Sequence, residues 1–116
     1  METLKKNFEF KNVLTKGKYF SGKYIVVYLK KNNFNKNRVG IAVGSKIAKA
    51  VKRNKIKRLI RENYKNNYKR IEEGYDIVFL WKKNVDIENA TFYNIKEDIE
   101  NIFERSNLVI KWKSCY

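Results

Sequence analysis

The chain has 116 residues, with 27 Lys+Arg against 12 Asp+Glu and a net charge of +15. That length suits a single domain spanning 1–116, and 43% hydrophobic with 15% aromatic residues is enough for a core, which excludes full disorder. The absence of His and the lone Cys115 exclude a disulfide framework, a Cys-based zinc site and the commonest general acid–base, while no apolar run approaches the ~18 residues of a membrane span.

In chain order, Phe10, Val13 and Leu14 fall at i, i+3 and i+4 between a capping Asn7 and a terminating Gly17, which predicts a short helix over roughly 7–16. Tyr24 to Leu29 is β-branched and aromatic and reads as a strand, with a shorter one near Tyr19 and Phe20. Lys31 to Asn37 is a polar turn, and Arg38 to Gly44 then reads as the returning strand of a hairpin. A long helix follows from Ile47 or Ala48 to about Lys69, with Ser45 either capping it or ending the strand. Gly74 closes that segment, and Tyr75 to Trp81 is a further strand. Thr91 caps a final helix with Phe92, Ile95, Ile99, Ile102 and Phe103 on one stripe. The expected fold is a two-layer α+β domain in the order α-β(β)-β-α-β-α.

The charge is concentrated. Residues 46–70 carry eleven cations and only Glu62, a net +10, whereas residues 71–116 are net −3. Such crowding costs self-repulsion that a polyanion relieves, so nucleic acid is the expected partner; the alternative is a solvated Lys-rich surface. On a helical wheel Lys57, Arg61, Asn54, Lys65 and Arg58 share an arc of about 100°, roughly opposite the stripe of Ile56, Leu59, Ile60 and Tyr64. Lys55 and Lys52 fall outside that arc. Arg supplies a planar fork for phosphate, Lys a point charge and Asn a directed donor.

Aromatics interleave with lysines upstream: Phe10, Phe20, Tyr24, Tyr28 and Phe34 among Lys11, Lys16, Lys18, Lys23 and Lys30. Stacking beside a basic ridge is how single-stranded RNA is held with little sequence reading, although each ring also fits plain burial. Protein catalysts are not apparent: there is no Gly-rich phosphate loop, no nucleophile–His pair and no metal-ligand motif. The acids Asp86, Glu88, Glu97, Asp98, Glu100 and Glu104 are expected mostly on the solvated side of the last helix.

The run from Arg38 through Arg53-Asn54-Lys55 to Glu62 resembles the signature of the bacterial ribonuclease P protein subunit. Leu4-Lys5-Lys6-Asn7 with Phe10 upstream, and Gly74-Tyr75-Asp76-Ile77-Val78 downstream, extend the likeness from about Leu4 to Phe103. The resemblance implies a ribosomal-protein-S5-domain-2-like α/β sandwich with a left-handed βαβ crossover. It implies an RNA-binding subunit that assists a catalytic RNA in removing the 5′ leader of precursor tRNA, with Mg²⁺ used by the RNA and none held tightly by the protein. By position it assigns contact with the catalytic RNA to Lys46, Arg53, Asn54, Lys55, Lys57, Arg58 and Arg61. The leader groove falls on Phe10, Leu14, Tyr28, Asn54, Lys57 and Arg61. Lys55 stands where the motif has Arg, and Leu14 where an aromatic is common. The expected setting is the cytoplasm, with no membrane and no obligate protein partner. The alternative function is a structural, ribosomal-type RNA-binding protein; a self-sufficient nuclease ranks third.

Overall fold

The computed structural model describes residues 2–109. In chain order the elements are β1 (Glu2–Thr3), α1 (Asn7–Lys16), β2 (Lys18–Ser21), β3 (Ile25–Lys31), β4 (Arg38–Ala42), α2 (Ala50–Asn67), β5 (Tyr75–Trp81) and α3 (Phe92–Arg105), with 3₁₀ turns at Tyr68–Arg70 and Ile87–Asn89. This is the expected α+β order with a two-residue strand added at the front. Cys115 lies outside the described residues.

The sheet runs β1-β4-β5-β3-β2, which corrects the predicted hairpin: β3 and β4 are not neighbours. β5 sits between them, antiparallel to β3 and parallel to β4. The reason lies in its sequence. Ile77-Val78-Phe79-Leu80-Trp81 is apolar on both faces, and such a strand is stable only at the centre of a sheet covered on both sides. The 32–37 loop is fixed to this arrangement, because Asn37 accepts from the Tyr75 N–H at 2.9 Å and donates to the Glu72 carbonyl at 2.9 Å.

Two cores flank the sheet. On one face Ile25, Val27 and Leu29 of β3, Val39 of β4, and Ile77, Phe79 and Trp81 of β5 meet Ile56, Ile60 and Tyr64 of α2 and the Ile95–Phe103 stripe of α3. Each fully buried Ile or Phe there contributes about 1.5–3 kcal/mol of transfer free energy. On the other face α1 presses Val13 onto Val78 and Leu4, with Phe10, Tyr28 and Leu80 at the margin. Phe20 and Tyr24 pack on the α2–α3 side, so they leave the set of groove aromatics.

The β4–α2–β5 crossover is left-handed. The Val39 carbonyl accepts from the Leu4 N–H at 2.9 Å, toward β1, while the Val39 side chain enters the core beneath α2. For an L-residue on an upward strand seen from its side-chain face, the carbonyl points right, so β1 lies to the right of β4 and β5 to the left. A chain that leaves β4, passes in front and returns on the left turns against the usual hand.

Boundaries shift slightly. α2 starts at Ala50 with Lys49 as its cap, so Ser45 neither caps it nor lies in β4, and its last turn tightens into the 3₁₀ turn. Thr91 caps α3 as expected, accepting from the Asn94 N–H at 3.2 Å. Asp98 corrects the reading of the acids: it is buried, and its carboxylate accepts from the Lys23, Tyr24 and Ile25 N–H groups at 3.0, 2.7 and 3.0 Å. Gly22 allows this approach, since a Cβ there would stand 2.6 Å from the Asp98 oxygen.

Candidate nucleic-acid interface

α2 supplies the charge. Ile56, Ile60, Asn63, Tyr64 and Asn67 are its buried residues, the side the wheel assigned to the core. Asn54, Lys55, Arg58, Arg61 and Lys65 are exposed, and Lys57 is half-buried. Glu62 approaches Arg58 at 4.0 Å with both side chains more than half exposed, so this pair neutralises little of the ridge. At its start α2 has no side-chain cap and no acid in the first turn. Free N–H groups and the positive end of the helix dipole therefore face solvent beside Lys49 and Lys52, an arrangement that favours phosphate.

Arg53 differs from the ridge. Its Nη1 donates to the Ala48 carbonyl at 2.6 Å and the Ser45 carbonyl at 3.3 Å. The guanidinium turns back onto the loop that enters α2 and holds it. Lys46 is also apart: it lines a separate cavity of about 670 Å³ with Gly44, Ile47, Lys83 and Asp86. Lys55, though exposed, stands off the ridge, as its wheel position requires.

The groove lies on the α1 face of the sheet. Strand register sets Gly40, Val78, Tyr28 and Tyr19 in one row and Ala42, Leu80, Val26 and Ser21 in the next. α1 covers the first row. Phe10 lies directly on Gly40, where a Cβ would come within 2.5 Å of the ring, so only glycine admits it. Phe10 and Leu14 lie on the flank of α1 opposite Glu9, which is tied to Arg38 at 2.8 Å. The second row stays half-open: Ala42, Leu80 and Val26 are each of intermediate exposure. Tyr28 is half-buried and its ring meets that of Tyr19 at 5.8 Å, with Tyr19 65% exposed. An apolar floor edged by accessible rings can stack bases.

Of the groove residues named from sequence, Phe10 and Tyr28 share one cluster, and Leu14 stands exposed on the flank. Arg61 joins them from α2: with Thr3, Leu4, Phe10, Gly40 and Ile41 it lines a cleft of about 170 Å³. Lys57 and Asn54 follow one and two turns back along the same stripe, outside that cleft. Sequence reasoning missed Val26, Leu80, Ala42 and Tyr19. Period-two alternation from Tyr28 could have found Val26, but Leu80 and Ala42 require the β5 register.

One end of the groove is closed by an ionic network. Arg38 forks onto Asp76, with Nε–Oδ1 at 2.8 Å and Nη2–Oδ2 at 2.7 Å, reaches Glu9, and stacks 4.6 Å from the Phe34 ring centre. Burial pushes the Asp76 carboxyl up, but hydrogen bonds from Arg38 and Asn32 outweigh it and hold it below its ordinary value. Glu9 is held low by the N–H groups of Lys6 and Lys5, assisted by Arg38. Both are charged at neutral pH and together outweigh Arg38 by one negative charge, so α1 is fixed without adding positive charge at this end of the groove. Among the described residues no grouping of three or more His, Cys, Asp or Glu could hold a metal ion. Nor is any described helix long and apolar enough to cross a membrane.

Comparison with known proteins identifies the family and the fold. The family model described as Ribonuclease P matches residues 1–107. The "Ribonuclease P protein component" of Clostridioides difficile (strain 630) is 43% identical over 108 residues, covering 92% of this chain and 93% of the relative. That of Fusobacterium nucleatum is 36% identical over 111 residues, covering 94% and 100%. Among solved structures, the Staphylococcus aureus RNase P protein superposes with a TM-score of 0.83 at 31% identity, covering 95% of this chain and 99% of that one. The RNase P protein from Thermotoga maritima gives 0.80 at 34% identity, covering 90% and 97%. The chain belongs to the ribonuclease P protein family.

Proposed function

We propose that the chain binds the catalytic RNA of ribonuclease P and the 5′ leader of precursor tRNA, and so assists endonucleolytic release of that leader. The observation that carries this reading is the convergence of two surfaces: Arg61 of the α2 ridge lines the same cleft as Phe10. Phosphates of folded RNA lie along Asn54, Lys57, Arg58, Arg61 and Lys65, where guanidinium forks and ammonium groups replace counterions. Leader nucleotides enter over Val26, Leu80 and Ala42, with Tyr28, Phe10 and Leu14 providing contact and stacking.

Phosphodiester hydrolysis is assigned to the RNA with Mg²⁺. The described residues contain no carboxylate cluster suited to that ion, and no chemical step is assigned to the chain. Its contribution is positioning and charge neutralisation, which lower the Mg²⁺ concentration that assembly needs. Work on precursor tRNA sets the compartment as the cytoplasm, with RNA rather than another protein as partner.

The test is reconstitution. Purified chain added to a bacterial-type catalytic RNA at low Mg²⁺ should stimulate cleavage at the mature 5′ end. Binding without stimulated, site-specific cleavage would favour a structural RNA-binding protein instead, and cleavage by the chain alone would overturn both.

A further inference from the structure

A second concentration of positive charge lies away from α2. A cleft of about 510 Å³ opens where the end of α1, the β2–β3 edge and the end of α3 meet. Lys16, Lys18, Lys30, Lys31 and Arg105 line it, and no carboxylate does. None of the five forms an ion pair among the described residues. Asp76, which feels the charge of Lys30, is already gripped by Arg38 and Asn32. Arg105 is oriented rather than loose: its Nε donates to Asn101 Oδ1 at 2.7 Å and its Nη2 to the Ser21 carbonyl at 2.8 Å, which leaves Nη1 for a ligand. Phe20 and Tyr75 give the cleft two aromatic walls.

Its place in the fold matters. α2 lies over β4 and α3 over β3, and β2 is three strand spacings from β4, roughly 14 Å across the sheet. The acidic C-terminal third of the sequence would lead one to expect a negative surface at the end of α3. Instead, chain reversal at Gly17 and the β2–β3 pairing bring lysines from the first third of the chain there. Five cations that form no ion pair among the described residues repel one another, and a row of phosphates relieves that repulsion.

We propose that this cleft is a second RNA-backbone site, which takes a segment of the catalytic RNA distinct from the segment on α2. The proposal rests on the function argued above. A large folded RNA presents separate backbone segments, so two basic surfaces on opposite edges of one sheet clamp the protein in a single orientation.

The experiment measures catalytic-RNA affinity against salt for the full chain and three triple variants: Lys16→Ala/Lys18→Ala/Lys31→Ala in the cleft, Lys57→Ala/Arg58→Ala/Arg61→Ala on α2, and Lys5→Ala/Lys23→Ala/Lys96→Ala as a charge-matched control. The cleft variant should reduce the slope of log K against log salt by about 2, from three contacts at ~0.7–0.9 each, with the control near the parent chain. An unchanged slope for the cleft variant overturns the proposal, as does an equal loss in the control. If only precursor tRNA binding by the preassembled holoenzyme changes, the assignment to the catalytic RNA is wrong. Should the α2 variant also leave affinity untouched, the parent reading fails; if it alone weakens binding, only the second site does.

Discussion

Arg53 and its neighbours on α2 look equivalent in sequence, but the structure separates them, and a salt titration can measure the separation. In Lys57→Ala/Arg58→Ala/Arg61→Ala, three side chains directed to solvent or the groove margin are lost. If each contacts one phosphate, the salt slope falls by about 2 to 2.7, and over a fourfold rise in salt the parent chain loses roughly 20- to 40-fold more affinity than the variant. Arg53→Ala removes instead a clamp on the carbonyls of Ser45 and Ala48. It should cost about 1 kcal/mol, given the partial exposure of the group, and lower Tm by roughly 4 °C, with little change in slope. Filter binding to catalytic RNA at five salt concentrations, alongside thermal melts, reads both quantities. If Arg53→Ala reduced the slope as much as one ridge residue and left Tm unchanged, Arg53 would be a phosphate contact and not a clamp on the loop.

Other perturbations address the groove and the scaffold. Gly40→Ala places a Cβ against Phe10 and should weaken leader binding roughly tenfold, the value of about one stacked base, while catalytic-RNA affinity holds; equal loss of both would remove Phe10 from the groove. Asp98→Asn leaves three N–H groups, one buried and two part-buried, sharing one acceptor oxygen, so a loss of about 3 kcal/mol and a Tm drop of roughly 10 °C are expected; a shift within experimental error would mean those bonds add nothing. The Asp76 carboxyl is held below its ordinary value, so its contribution is complete above the unfolded carboxylate value of about 4 and is lost as pH falls through the lower folded value. The stability gap between the parent and Asp76→Asn, read from urea midpoints, should be largest at neutral pH and close under acid. A gap independent of pH would refute the ionic role.

The sequence was most legible where one period dominates. The buried side of α2 matches the wheel because Ile56, Ile60 and Tyr64 repeat at helical spacing, and Thr91 caps α3 because its hydroxyl has a free N–H within reach. Strand partners were less legible. A polar turn between two β-rich runs suggests a hairpin, but only the two-faced apolarity of β5 reveals that it displaces β3 from β4. That error hid Leu80 and Ala42, since their place beside Val26 depends on the register of β5, a strand distant in sequence from both β3 and β4. Asp98 left a readable trace: three residues after Ile95 and four before Ile102, it falls on the apolar stripe, where an acid needs a dedicated set of donors.

The hand of the crossover links the fold to the interface. With β5 on the left of β4, the far side of β4 meets only the two residues of β1, so α2 rides near the open edge of the sheet. From there Arg61 lines a cleft with Thr3 and Leu4 at the edge and Phe10 on the opposite face. A right-handed return would set β5 on the other side of β4, and α2 would cover the middle of the sheet, with its charges separated from the groove by a full layer. The unusual hand is thus a geometric condition for one cation ridge to serve two surfaces, the phosphates along α2 and the strand lying across Tyr28. Grafting the α2 sequence onto a right-handed α/β scaffold should therefore retain salt-dependent RNA affinity but not leader binding. Recovery of both in that chimera would separate the interface from the topology.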